Sequence, residues 1–483
     1  HMIQFGAFSP DMQAMGDHLT VANNCISTSG YYSPILSPIE YSDASSEPAL
    51  SAFAAKSAAG TVFNFVGGET KLQRIVSAAF TDISQVGGYS TGAETVWDWT
   101  TFGDRVIATN GIDVPQSYVM GTSTLFADLS ATAPIARYVA TVRGFVMFGS
   151  LGTDKNKLKW SALEDPTDYT VAPSTTQSDE QLLFGETALG DMTKVIGGET
   201  ATIFFENGIF RGTYVGVPFI FTFDQIVANN GAIASGSVAA YGDTIFFLGK
   251  DGFYMLVGGQ LIPIGKNMVD QYFFNEVYRD ELWRMQSLID EEHNLYVVAY
   301  GTQTGVLNKL LIYNWVTKRW TTSTPGEFQC IFKFLSETAT TDTLDALLGD
   351  PDTGPYASLS LDTSLFTGGD VVLGGVNTSN IVVTFNGTPL VATIETAEQG
   401  SQQNSMIRKV RSMHEGTATV TVEVGSRSST GVPVTYSSPS TVNSEGEACM
   451  FSSGRYHRAR LTYNPGWAKA YGIDFDAVQR GRY

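Results

Sequence analysis

Short runs of Val, Ile, Phe, Tyr and Thr, cut by Gly, Asn or Asp, dominate the chain. Such runs predict β-strands closed by tight turns. Residues 104–111 read as a strand ending in an Asn-Gly turn. Residues 144–149 and 157–161 read as two more strands, and residues 201–210 as strand, turn, strand. Residues 243–254 repeat that order around Asp251-Gly252. Residues 294–300 and 309–314 form a further hairpin, which leads to Arg319-Trp320-Thr321. These units recur about every 35 to 50 residues between Gly60 and Thr363. Units of four strands at that period predict an all-β chain built on a β-propeller of six or seven blades. A stacked sandwich or a β-solenoid is the alternative, because no Trp-Asp dipeptide closes each unit and Trp97-Asp98 occurs once.

One stretch has helical spacing. Val269, Phe273 and Val277 lie four residues apart, which predicts one connector helix within residues 267–287 with a single apolar face. After about Thr367 the texture changes. Residues 380–389 read as a hairpin of their own, 399–404 as a loop, and 417–424 and 455–463 as half-buried strands. The expected division is a partly irregular N-terminal segment (1–59), a propeller body (60–366) and a C-terminal β region (367–483) that is either a separate domain or an extension closing the propeller.

Charge sharpens this division. The 483 residues carry a net charge of −19, yet residues 401–483 hold ten Lys and Arg against six Asp and Glu. An acidic body repels nucleic acid overall. The basic tail reads either as solvated strand faces that happen to be basic or as a docking surface for an acidic partner, with Arg408, Lys409, Arg411, Arg455, Arg458 and Arg460 as its candidates; Arg480 and Arg482 follow. Chemistry is scarce. No nucleophile elbow, phosphate loop or dinucleotide fingerprint occurs, and the five His show no metal-ligand spacing. Catalytic, cofactor and metal residues are therefore expected to be none. Glu164, Asp165, Glu206 and Asp251 read as turn formers rather than as a glycosidase pair. Cys25, Cys330 and Cys449 are too scattered for a disulfide framework and read as small buried residues. No apolar run reaches the roughly 20 residues of a membrane helix. His1-Met2 reads as a tag remnant, with no secretory signal behind it.

From Arg137 to Trp320, about 40% of the chain, an ordered series of features carries a resemblance. The segment Trp160-Ser161-Ala162-Leu163-Glu164-Asp165-Pro166-Thr167-Asp168-Tyr169 comes first, followed by Gln177-Ser178-Asp179 and the strand pair at 201–210. Ile262-Pro263-Ile264 then precedes the helical stretch with Asp280-Glu281-Leu282, and Leu311-Ile312-Tyr313 precedes Trp320. The series resembles the tail-hub or nozzle proteins of short-tailed bacteriophages of the Salmonella podophage type, also called packaged-DNA stabilisation proteins. Residues 452–461 and 467–475 are similar to C-terminal segments of phage tail and connector proteins.

The resemblance implies a structural virion protein of the tail, without catalysis or cofactor. Six copies would ring the DNA channel below the portal and its adaptor, retain double-stranded DNA without binding it specifically, and carry a spike, fibre or needle protein. The alternative is a receptor-binding or tail-tip propeller with stacked aromatics, for which Trp97, Trp99 and Trp315 are candidates. A carbohydrate-active propeller enzyme is the third reading.

Overall fold

The structure is a computed structural model and describes residues 2–92, 94–337 and 369–479. Its strands fall into seven groups of four plus an accessory sheet. The chain is a seven-bladed β-propeller. The first strands of the blades are Ala49–Lys56, Asp98–Phe102, Ala136–Val142, Met192–Ile196, Ala239–Tyr241, Gln286–Asp290 and Phe328–Leu335. Each begins an antiparallel meander running outward from the axis. The second strands are the most apolar: Ala201–Phe205 is buried at every position, as are Val62–Gly68 and Leu295–Tyr300. They are covered by neighbouring blades on both faces, which is why they read as unbroken apolar runs rather than alternating ones. Between the first two blades the seam is aromatic, with Phe65, Tyr118, Phe126 and Trp97 in one cluster.

The ring closes by an exchange between the ends of the chain. The seventh blade takes three strands from late in the sequence, Phe328–Leu335, Val371–Asn377 and Ile381–Thr384. Its outermost strand is Ile39–Ala44, paired antiparallel to Ile381–Thr384. The chain then runs directly into the first strand of blade one, which packs on Phe328–Leu335.

This closure corrects the expected boundaries. Residues 39–56 belong to blades seven and one rather than to a segment preceding the propeller. The hairpin at 371–384 completes blade seven, which for these residues is the extension closing the propeller and not the separate domain. The expected boundary at 366–367 itself lies outside the described residues, as do Arg480 and Arg482. The reason is long-range pairing: a strand's partner 340 residues away leaves no local mark.

The accessory sheet is likewise built from both ends. Leu19–Asn23 pairs with Ala392–Thr396, and Cys25–Thr28 with Tyr31–Pro34. Three long strands, Gln399–Gly416, Glu447–Tyr463 and Trp467–Gln479, form its spine. A parallel bridge, Asn23 to Thr322, joins it to the outer strand of blade six. Residues 399–404, expected as a loop, lie in the first spine strand, where the pairing register breaks between Gly400 and Ser405.

The helix is shorter than expected, Asp270–Glu276. A 3-10 segment, Arg279–Arg284, follows it, and Gln286 starts blade six because Gln286–Asp290 pairs with Leu295–Tyr300. Its apolar face is as read: Val269, Phe273 and Val277 are all buried. Asp11, from the N-terminal segment, accepts the N–H groups of Gln271 and Tyr272 at 2.7 Å each. That capping ties the accessory segment to the blade five–six connection.

Asp270 sits beside this cap. Burial, with Asp11 and Asp251 nearby, pushes its carboxyl up to about 6, against the Phe253 N–H that holds it down. A carboxyl whose folded value is raised contributes fully below the unfolded value and loses that contribution as pH rises through 6. Asp270→Asn keeps the acceptor for Phe253 and removes the charge. After discounting for solvent screening, the variant should gain about 1 kcal/mol over the wild type at pH 8 and nothing at pH 4. Urea unfolding at the two pH values checks this; an equal gain at both would remove the charge explanation.

Candidate functional site

The spine strands carry the six basic residues expected to dock a partner, and the structure separates them into two sets. Along Glu447–Tyr463 burial alternates: Ala448, Met450, Ser452 and Gly454 point in, while Cys449, Phe451, Ser453 and Arg455 point out. The alternation then changes phase, and His457, Ala459, Leu461 and Tyr463 are the buried set. The phase changes where the strand exchanges partners, from Gln399–Gly416 to Ala392–Thr396 and Val420–Arg427.

Arg458 and Arg460 fall beyond that change and are paired with buried carboxylates. Arg458 donates to Glu395 at 3.1 Å and to Glu398 at 2.8 Å. Arg460 donates to Glu395 at 2.6 Å, and Arg427 grips Glu398 at 2.5 and 3.0 Å. Tyr436 and Thr20 complete Glu395 at 3.0 and 3.1 Å. The two carboxylates are 4% and 1% exposed, so this is an interior network. Burial alone would lower the Arg458 guanidinium, but the two glutamates hold it above its ordinary value. Buried charges of this kind persist only when paired and hydrogen-bonded. These cations tie Ala392–Thr396 and Val420–Arg427 to the spine.

Arg408, Lys409, Arg411 and Arg455 lie before the phase change, on the outer side. Lys409 and Arg411 converge on one carboxylate, Glu447, at 3.0 and 2.8 Å. Their hydrogen bonds hold Glu447 below the usual carboxylate range. Arg408 stands 3.7 Å from Asp476 with both groups largely in solvent. Three cations thus face two carboxylates. Arg455 lies beside Tyr456, its guanidinium carbon 5.9 Å from the ring. Phe451 projects among these residues and is 79% exposed. Arginines around an exposed aromatic are a composition enriched at protein interfaces. Composition had marked the charges; Phe451 and the outward Cys449 were missed, Cys449 having been taken as buried. The alternation Ala-Cys-Met-Phe-Ser-Ser-Gly was the available signal, because it places Phe451 opposite Met450.

The inner strands around the propeller axis are the second place to look for function, and side chains there bridge next-but-one blades. Lys194 of blade four reaches Asp98 of blade two at 2.5 Å. Asp98 also accepts the Val139 N–H of blade three at 3.0 Å. Gln286 of blade six donates to the Leu50 carbonyl of blade one and accepts the Ile331 N–H of blade seven, both at 2.9 Å.

The aromatic cleft of the alternative reading does not form. Trp97 is buried and donates to the Gly68 carbonyl at 2.9 Å. Trp99 stacks on Phe53 at 5.8 Å, and Trp315 packs on Tyr241 and Phe246. Asp165 accepts from Thr167, and Asp251 from Tyr254, as turn formers do. Among the described residues no group of three His, Cys, Asp or Glu is placed to hold a metal. The segment from Trp160 to Tyr169 is a structural loop. Ala162 donates to the Asp168 carbonyl at 2.7 Å, and Tyr169 is buried against Phe148 in the seam between blades two and three.

No family model and no curated protein matches the chain. Similar solved structures include the extracellular domain of the putative one component system BT4673 from B. thetaiotaomicron, at 8% identity and a TM-score of 0.43. The chain is covered over 79% of its length there and spans 44% of that protein. The WD40 domain of Neurospora crassa Pan2 aligns at 7% identity and a TM-score of 0.38, over 75% of this chain and 97% of that one. The computationally designed Ika8 protein gives 7% and 0.38, over 72% and 99%.

Proposed function

We propose that the chain is a structural component of a bacteriophage tail, one copy in the nozzle ring below the portal and adaptor through which packaged double-stranded DNA leaves. The observation that carries this reading is the separation of charge. The described residues of the propeller, within 39–337 and 369–384, hold 33 Asp and Glu against 19 Lys and Arg, while the outer spine face presents Arg408, Lys409, Arg411 and Arg455. An acidic wall repels phosphate and lets DNA slide, because the counterion-release attraction of a basic wall is missing. A basic face is suited to a permanent acidic neighbour, either an adaptor ring or another copy.

In this reading the DNA lumen lies between copies, around a six-fold ring of propellers. This reading assigns no catalytic step and no cofactor. A spike, fibre or needle protein would sit on the outer or distal surface, and the site of action is the tail of the virion.

Cryo-electron reconstruction of tailed particles carrying this chain tests it. Six propellers around the DNA density beneath the portal are expected. Density at a fibre tip, with no copy around the DNA, would overturn it and return the receptor-binding alternative.

A further inference from the structure

A second surface complements the basic face. Between blades six and seven and the accessory sheet lies an apolar cavity of about 500 Å³. Its walls include Ile26, Ile35, Leu36, Leu288, Leu373 and Phe385. The cavity is built from both ends of the chain, where the turn after Gln286–Asp290 meets the N-terminal strands. Its rim is acidic. Asp290 and Glu292 line one side of it together with His293 and Lys333, His293 pairing with Asp290 at 2.8 Å and Lys333 with the neighbouring Glu291 at 3.1 Å. Leu36, on the wall, is 38% exposed.

The spine face is the counterpart in shape and in charge. It offers one projecting aromatic, Phe451, among Arg408, Lys409, Arg411 and Arg455. A phenyl ring fits a cavity of this size with room for its strand neighbours. Phe451 is exposed on its own molecule, so its own groove does not hold it.

We propose that the groove between blades six and seven receives Phe451 of a second copy of this chain, with the basic spine face lying against the acidic rim. This deepens the ring reading above and rests on it for the number of copies. Two different patches on one chain make a heterologous contact, which either closes into a ring or propagates as a filament. Phe451 is the buried anchor, and the charges fix register and speed encounter. A single phenyl group covers far less than the roughly 800 Å² per partner of a stable interface. The flanking strand faces supply the remainder, and the contact weakens as salt screens the charges.

Cys449, exposed two residues from Phe451 on the same face, provides the test. Glu292→Cys is made together with Cys449→Ser, and this protein is mixed with size-tagged wild type under mild oxidation. A heterodimer linked between position 292 and Cys449 is expected, reversed by reductant. Phe451→Asp in the wild-type partner should reduce it at least tenfold, as should high salt. Phe451→Ser serves as a second variant that adds no charge, and the exposure of Phe451 means neither change disturbs the core. Thr122→Cys, in a turn of blade two, is the collision control.

No heterodimer, a yield matching the Thr122→Cys control, or indifference to both Phe451 variants overturns the proposal. The ring reading fails separately. A tail reconstruction showing the ring with Phe451 outside the groove, or another protein in it, sinks this contact alone. Phe451-dependent crosslinking without a place around the DNA sinks the nozzle and keeps the contact.

Discussion

Replacing Glu398 with alanine should destabilise the protein by about 3–5 kcal/mol, the cost of breaking a buried ion network by removing one partner. Glu398 is 1% exposed and accepts three hydrogen bonds, two from Arg427 and one from Arg458. The alanine leaves two guanidinium groups facing an apolar gap with Glu395 as the remaining anion. Arg427 is 12% exposed, and its remaining Nη1 donor goes to the Thr430 carbonyl at 2.7 Å. Glu398→Gln should cost less, since its carbonyl oxygen still accepts one bond. Urea unfolding measures both. A loss under about 1 kcal/mol for the alanine would mean that water replaces the carboxylate, and that the network is not an interior one. By contrast Arg411→Ala and Arg408→Ala, on the outer face, should change stability by less than about 0.5 kcal/mol, as exposed ion pairs do. The contrast separates the six basic residues into structural and surface groups without any partner present.

Why sequence treated those six as one set is instructive. The residues that follow one another along Arg455, Arg458 and Arg460 share a strand, and a single alternation assigns them to one face or the other. The strand changes partners near Tyr456, so the alternation shifts phase within the run. Nothing local announces that shift, because it comes with the exchange of partner strands to Ala392–Thr396 and Val420–Arg427, which lie far back in the chain. Where pairing is between neighbours in the chain, reading was good. Arg105–Thr109, Ala201–Phe205, Thr244–Leu248 and Lys309–Asn314 all fall where apolar runs and turns predicted strands. The Asn110-Gly111 turn is wider than a two-residue hairpin, since Gln116–Val119 resumes only after Asn110 has received the N–H groups of Ile112 and Asp113. The blade count was the harder quantity. Seven requires seeing that Ile39–Ala44 belongs to the last blade, and its burial is too low to mark it as core.

Removing residues 1–46 should therefore abolish cooperative folding rather than trim a tail. The deletion takes the outermost strand of blade seven, Ile39–Ala44, and with it the pairing of Ile381 with Ala44 and of Val383 with Glu40. It also removes Leu19–Asn23 from the centre of the accessory sheet, where that strand links Ala392–Thr396 to blade six. Buried groups on both sides would be uncovered: Val382 and Val383 in the blade, Ile394 and Trp320 beside the accessory strands. Uncovering these four buried side chains at about 1.5–3 kcal/mol each, roughly 6–12 kcal/mol together, is comparable to the roughly 5–15 kcal/mol by which proteins are stable. The truncated chain should be insoluble or lack a sharp thermal transition, whereas removal of Met2–Gln4 alone, which pairs only with the edge of Trp467–Gln479, should leave one. A sharp transition in the longer truncation would place closure in the packing of Phe328–Leu335 on Ala49–Lys56. The seventh blade would then need only three strands, and the N-terminal exchange would serve the accessory sheet rather than the ring.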